Sequence, residues 1–239
     1  MAKVDVLAIA AHPDDMELIC GGTLIRAHML GRSTGILDLA AGEMASRGTP
    51  ELRGKEAAKA AKVMGVSVRE NLGLPDGGIT NTPETRAKVA VVIRRLQPRI
   101  VITHSLHGRH PDHPIVAQLV RDACFVAGLA KIAPDVPKHR PFKILHSLTH
   151  RQDFVRPTFV VDVTAEFELK LEAIRCYESQ FSGLTQAGEV YPNGEPLEDI
   201  IRHHGAYYGS LIRRRYGEPF FTTEMMAVDD VLSLEVSTL

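Results

Sequence analysis

Cysteine is scarce in this chain. Its three, Cys20, Cys124 and Cys176, are odd in number, far apart and without any C-x-x-C spacing, which argues against a disulfide framework or a thiolate metal site and for reduced core residues. Charge of one sign is lacking too. The formal net charge is -1 over 239 residues, and apart from Arg213-Arg214-Arg215 the Lys and Arg are scattered, so there is no basic stripe to follow a phosphate backbone and no nucleic-acid partner is expected. Long apolar runs are missing as well. The first, near Val4, is too short and too soon followed by charge to be a signal peptide or a membrane span, so the expectation is a cytoplasmic protein without a membrane partner. No internal repeat or low-complexity segment occurs. With 44% hydrophobic and 24% charged residues, the default is one globular domain over residues 1–239.

A further absence bears on function. The stretch from about Val4 to Ala11 reads as a buried parallel strand, the next from about Asp14 to His28 as a helix, and Ser33 to Ala40 as a second buried strand. This is a β-α-β unit. Its first turn, Ala11-His12-Pro13-Asp14-Asp15, has no glycine fingerprint, and its acids would repel the pyrophosphate of a dinucleotide. A nucleotide-binding oxidoreductase is therefore disfavoured, although the architecture expected is the same: an α/β, Rossmann-like, mostly parallel sheet with helices on both faces.

What stands in that turn is a histidine and two acids at the end of an apolar strand, where they must be solvated, paired or bound to a cation. His12 and Asp15 are three apart, and a helical turn would set them on one side. A catalytic divalent-metal site usually takes three protein ligands and leaves a position for water. The third comes from His110-Pro111-Asp112-His113, which follows the apolar run Ile100-Val101-Ile102-Thr103 and opens another helix. A single His or an Asp-Asp pair is often only structural. The same pattern twice points to one shared site at the carboxyl ends of the strands.

Between and beyond these motifs, Thr49-Pro50 caps a helix running to Gly65 with Arg53 in its first turn, an unfavourable place for a cation unless it has an anion or carbonyl to bind. Val66 to Leu72 reads as the third strand, Thr82-Pro83 to Pro98 as a helix and Arg99 to Thr103 as the fourth strand. Phe142 to Leu148 and Thr158 to Val163 follow as strands. Thr164 is expected to cap a helix to about Tyr177, and Leu197 to Tyr216 to form the last. Gly183 to Pro196, with Tyr191, reads as a long loop and a candidate lid. His104, His107 and His203-His204 are candidates for a second metal, with solvated histidines the simpler reading; Glu17 reads as a partner of a ligand histidine or as a helix-surface acid.

The segments Ala11-His12-Pro13-Asp14-Asp15-Met16-Glu17 and His110-Pro111-Asp112-His113 resemble the two signature motifs of the zinc-dependent PIG-L/LmbE-type N-deacetylases, in order and separation. Gly42 to Thr49 with Arg53, Leu72-Gly73-Leu74-Pro75-Asp76-Gly77, and Tyr216-Gly217-Glu218-Pro219-Phe220 look like the branch that deacetylates N-acetylglucosaminyl-malate in bacillithiol synthesis. The resemblance implies one zinc ion held by His12, Asp15 and His113, with Asp14 as general base. His110 would serve the developing oxyanion or the leaving amine, Asp112 would orient a catalytic histidine, and Arg53 would meet substrate or acetate. The partner implied is a small N-acetylated sugar. The donor set also suits Fe(II), Mn(II) or Co(II), and the sequence leaves a homo-oligomer open. Another N-acetylated amino sugar or small amide is the alternative substrate, and a non-catalytic metal or sugar-binding module the alternative class.

Overall fold

The computed structural model describes residues 3–148, 155–181 and 196–234. Four parallel-paired strands come first: β1 (Val6–Ala10), β2 (Thr34–Ala40), β3 (Val68–Leu74) and β4 (Ile100–His104). They alternate with α1 (Asp15–Met29), α2 (Pro50–Val63), α3 (Pro83–Leu96) and α4 (Asp112–Val126). After β5 (Lys143–Ser147) and β6 (Phe159–Asp162) come α5 (Phe167–Arg175), α6 (Glu178–Phe181), α7 (Leu197–Leu211) and β7 (Gly217–Phe221). The strands form one sheet in the order β3-β2-β1-β4-β5-β7-β6, with β5 parallel to β4 and β7 antiparallel to both its neighbours.

The alternation of side chains along the central strands places a core on each face. Leu7, Ile9, Leu37, Leu39 and Val101 pack against Val89, Ile93, Val116 and Leu119 of α3 and α4. Ala8, Ala10, Ile36 and Ile102 pack against Ile19 and Leu24 of α1, Ala57 and Ala60 of α2 and Ala173 of α5. Both faces of β1 and β2 are fully buried, which is why these strands read as continuous apolar runs. The reversal between β2 and β4, which lie on opposite sides of β1, is where ligands bind in open sheets of this kind.

The expected helix caps at Thr49 and Thr82 form. Each threonine accepts a backbone N–H three residues on, and Thr82 and Thr85 make a reciprocal capping box. Thr164 does not cap α5. Its hydroxyl instead accepts the N–H of Tyr216 at 3.2 Å. The last helix also stops short, at Leu211 rather than Tyr216, because Arg213 turns the chain with φ 57° and residues 217–221 enter the sheet as β7. The expected loop at 183–196, including Tyr191, lies outside the described residues except for Pro196, and so does the connection at His150 to Asp153.

Helix α1 is broken once, at Cys20 with φ -145° and ψ 18°. The break exposes backbone donors, and Glu218 of β7 accepts them: Gly22 N–H at 2.9 Å, Thr23 N–H at 2.7 Å and the Thr23 hydroxyl at 2.6 Å. Lys170 Nζ closes the group at 2.7 Å from Glu218, with both side chains buried. Gly22 is required there, since a Cβ would meet Val163 at 2.9 Å. Glu218→Ala should cost about 3–5 kcal/mol in chemical denaturation, because it leaves a buried ammonium and two N–H groups without an acceptor. A loss below ~1 kcal/mol would mean that the pair contributes no more than a surface ion pair.

Candidate metal centre

Four chain segments converge at the carboxyl ends of β1, β3 and β4. His12 and Asp15 come from the turn between β1 and α1, Asp76 from the loop after β3, His104 from the last position of β4, and His110, Asp112 and His113 from the loop and first turn of α4. The Asp15 carboxylate is the hub. It accepts the backbone N–H of His12 at 2.8 Å, and it lies 3.4 Å from His12 Nδ1, 3.3 Å from His113 Nε2 and 3.3 Å from His104 Nε2. His110 closes the group, its ring 4.8 Å from that of His12 and 5.0 Å from that of His113.

Among the described residues, three overlapping sets place their ligand atoms within 4.8 Å of one another: His12, His110 and His113; Asp15, His104 and His113; and His12, Asp76 and Asp112. The three ligands expected from the sequence are contiguous, but through Asp15 rather than as one such set. His107, His203 and His204 belong to none of these sets. Imidazoles and a carboxylate in contact form a donor set suited to a borderline divalent ion. Hydrogen bonding supports this fit. His104 Nε2 accepts the Ala11 N–H at 2.9 Å, and a nitrogen that is already an acceptor has no proton to give Asp15, so that carboxylate oxygen takes no hydrogen bond from the imidazole and suits a cation.

The acids around this hub divide the work. His12 Nε2 is 2.9 Å from Asp76 Oδ1 and 3.2 Å from Asp112 Oδ2, and Asp112 also accepts the Gly77 N–H at 2.8 Å. The Asp112 carboxylate thus orients His12. It does not reach His110, to whose Nδ1 only the Asp112 backbone N–H donates, at 3.3 Å. Asp76, for which sequence reasoning gave no role, ties the rim loop to the centre: its other oxygen accepts the Met44 N–H at 2.9 Å, and its own N–H goes to Glu43 at 2.8 Å.

Asp14 stands apart from the hub, with φ 103° and ψ -28°, a left-handed backbone that is rare without glycine and is stored at functional sites. Arg53 fixes it. The guanidinium is 3.1 Å from the Asp14 carboxylate and also bonds the Pro13 carbonyl. Arg53 is 4% exposed, so it is a buried strut rather than a rim arginine. Gly42, at φ +77°, lets the chain pass over it, since a Cβ would stand 3.2 Å from Cζ. Arg53 Nε is buried and finds no hydrogen-bond partner among the described residues.

The electrostatics follow from burial and crowding. Burial raises the Asp14 carboxyl to about 7, with Asp15 adding to it and Arg53 opposing. Burial also raises Asp15, but the neighbouring His113 opposes it and the group is held well below the usual carboxylate range. His12 behaves oppositely: burial lowers it, yet its bond to Asp15 and the surrounding acids carry it up to about 9. Burial and the neighbouring His113 push His104 down to about 4, and burial with His12 and His113 lowers His110.

Glu17 is neither a partner of a ligand histidine nor a surface acid. It is fully buried beneath the centre, bonded by Arg69 and by the Tyr177 hydroxyl at 2.9 Å, and Arg69 also grips Asp38 of β2 at 2.8 and 3.0 Å. This network anchors the first turn of α1 to β2, β3 and the end of α5. His104 was underweighted by the sequence, although Thr103-His104 repeats the sign that drew attention to Ala11-His12, a histidine closing a buried strand at the carboxyl edge.

Residues 7–124, which carry the whole cluster, match the family model described as PIG-L, GlcNAc-PI de-N-acetylase. A diacetylchitobiose deacetylase of Thermococcus kodakarensis is 28% identical over 228 residues, 89% of this chain and 80% of its own. A 4-oxalmesaconate hydratase of Pseudomonas putida is 26% identical over 189 residues, 73% of each chain. Among solved structures, the conserved protein TT1542 from Thermus thermophilus superposes with a TM-score of 0.83 at 38% identity, over 95% of this chain and 98% of that one. The two His/Asp motifs, the doubly covered sheet and the convergence of its carboxyl edge agree with these matches, and the chain belongs to the PIG-L family, whose LmbE-type members its motifs resemble.

Proposed function

We propose that the chain is a metal-dependent N-deacetylase that hydrolyses the acetamide of an N-acetylglucosamine conjugate, with His12, Asp15 and His113 holding the ion. The observation that carries this reading is Asp14, a carboxylate next in sequence to the hub acid yet kept off it by a left-handed backbone and an arginine. A site built only to bind metal needs no such group. A divalent ion supplies Lewis acidity, polarising a carbonyl and bringing the pKa of water down to about 7. Asp14 would take the proton from water and later give it to the departing amine. His110, beside His12 and His113, faces the same space and stabilises the charge developing on the carbonyl oxygen or protonates the amine. Asp112 holds His12 in one orientation.

The narrower substrate we propose is N-acetylglucosaminyl-malate of bacillithiol synthesis, on the likeness of the loops at Gly42 to Thr49 and Leu72 to Gly77. Diacetylchitobiose, the substrate in one relative's name, is the competing candidate. Acetate release from a panel of N-acetylated sugars, run on metal-free and zinc-loaded protein, tests both levels. The hydratase relative favours a second reading, addition of water to an unsaturated acid. Turnover of such an acid without acetate release from any amide would replace the first reading.

Arg53 gives a separate test. Because it supports Asp14, Arg53→Ala should lower kcat/KM by roughly 10–150-fold, the loss of a hydrogen bond to a charged group, on the malate conjugate and on an uncharged N-acetylglucosamine derivative alike. Lysine should rescue only in part, lacking the second arm of the fork. A loss confined to the malate conjugate would place the free Nε on the substrate carboxylate instead.

A further inference from the structure

Most of the buried polar clusters away from the centre are accounted for by the fold. Glu218 with Lys170 closes the break in α1, and the Glu17, Arg69, Asp38 and Tyr177 group anchors its first turn. His104 has no such explanation. It is 3% exposed, and its single imidazole touches each segment that bears an expected ligand. Its Nε2 accepts the N–H of Ala11, the residue before His12, at 2.9 Å. The same nitrogen lies 3.3 Å from Asp15 Oδ2. Its ring stacks on His113 with centroids 4.1 Å apart and planes 13° from parallel. From behind, His146 Nδ1 donates to the His104 carbonyl at 2.7 Å, which pins the end of β4 to β5.

We propose that His104 is a positioning residue for the whole ligand set and is not itself a ligand. Its lone pair belongs to the Ala11 N–H, which fixes the turn from which His12 leaves β1. Its face sets the plane of the His113 ring, and its edge limits where the Asp15 carboxylate can lie. Each of the three contacts uses a different property of one neutral aromatic acceptor, so no other side chain supplies all of them. Phenylalanine keeps the stack and orphans the Ala11 N–H; glutamine keeps an acceptor and loses the stack.

The inference rests on the metal-centre reading of the site but not on the substrate, so its test measures metal. Zinc affinity by chelator competition and the visible spectrum of the cobalt-substituted protein are compared for wild type, His104→Phe and His104→Gln. Both variants should bind zinc ~10–100-fold more weakly, the usual cost of losing a residue that orients a ligand, and the cobalt bands should shift, which a residue serving the fold alone would not cause. Unchanged affinity and spectrum would overturn the proposal. So would loss of metal as complete as in His113→Ala, since that would make His104 a ligand. If the variants fail to fold, cadmium-substituted wild type with isotope-labelled histidine still decides. Scalar coupling between cadmium and imidazole nitrogen should appear for His12 and His113 and be absent for His104, and its presence at His104 would overturn the proposal. Acetate release is assayed in parallel: an inactive wild type that still shows these metal signatures would count against the deacetylase reading and not against His104.

Discussion

Alanine at His113 should abolish the binding of a divalent ion. Metal analysis after dialysis should find one ion per chain in the wild type and almost none in the variant, because Asp15 and His12 alone cannot replace a neutral nitrogen donor 3.3 Å from the hub carboxylate. The effect on affinity should span several orders of magnitude, well beyond the ~10–100-fold expected for residues that only orient ligands. His12→Ala and Asp15→Ala should behave alike. For Asp15→Ala the cause is wider, since His12, His104 and His113 all lose the carboxylate that draws them together. Full metal content in His113→Ala would remove His113 from the ligand set and leave His12 and His110 as the imidazole donors.

The second large effect is on turnover alone. Asp14→Asn should keep the ion and bind substrate while kcat falls by about 10²–10⁴-fold, the usual contribution of a positioned base. The amide is isosteric with the acid, so the left-handed backbone and one bond to Arg53 can persist; what it lacks is the ability to accept a proton. Near-normal kcat with full metal content would rule Asp14 out as the base. Comparison with Arg53→Ala adds a control, because that variant keeps the base and loses its support, so its loss should be the smaller.

Much of the fold was legible because its central strands are buried on both faces and its second and third helices begin with Thr-Pro caps. The metal cluster was legible because charged residues at the end of an apolar strand demand a reason. What escaped the sequence shares one cause, namely long-range partners. Pro219 and Glu218 argue against a strand by composition, yet β7 accepts them because Pro219 contributes its carbonyl to Leu148 and Glu218 reaches the break in α1. Arg94, in the last turn of α3, is 1% exposed and bonded to carbonyls of Ala127, Leu129, Ile132, Ala133 and Val136, 33 to 42 residues further on. The Asp112 carboxylate, expected to orient a catalytic histidine, meets His12, a hundred residues away. Spacing along the chain gives the donors; only the closed fold pairs them.

Strand β7 joins two strands made well before it during synthesis. Strand β6 is made before β7 but among the described residues has no sheet partner except β7, and β5 keeps an open edge until β7 arrives. A nascent chain that has emerged only as far as Tyr216 therefore leaves β6 unpaired and one edge of β5 open, the kind of surface that recruits other chains. The same late strand delivers Glu218 to the broken helix whose first turn bears Asp15. The metal turn is thus locked by a segment made 196 residues after Gly22 at the helix break it closes, and chains that stop before that segment should be caught by chaperones or proteases rather than accumulate.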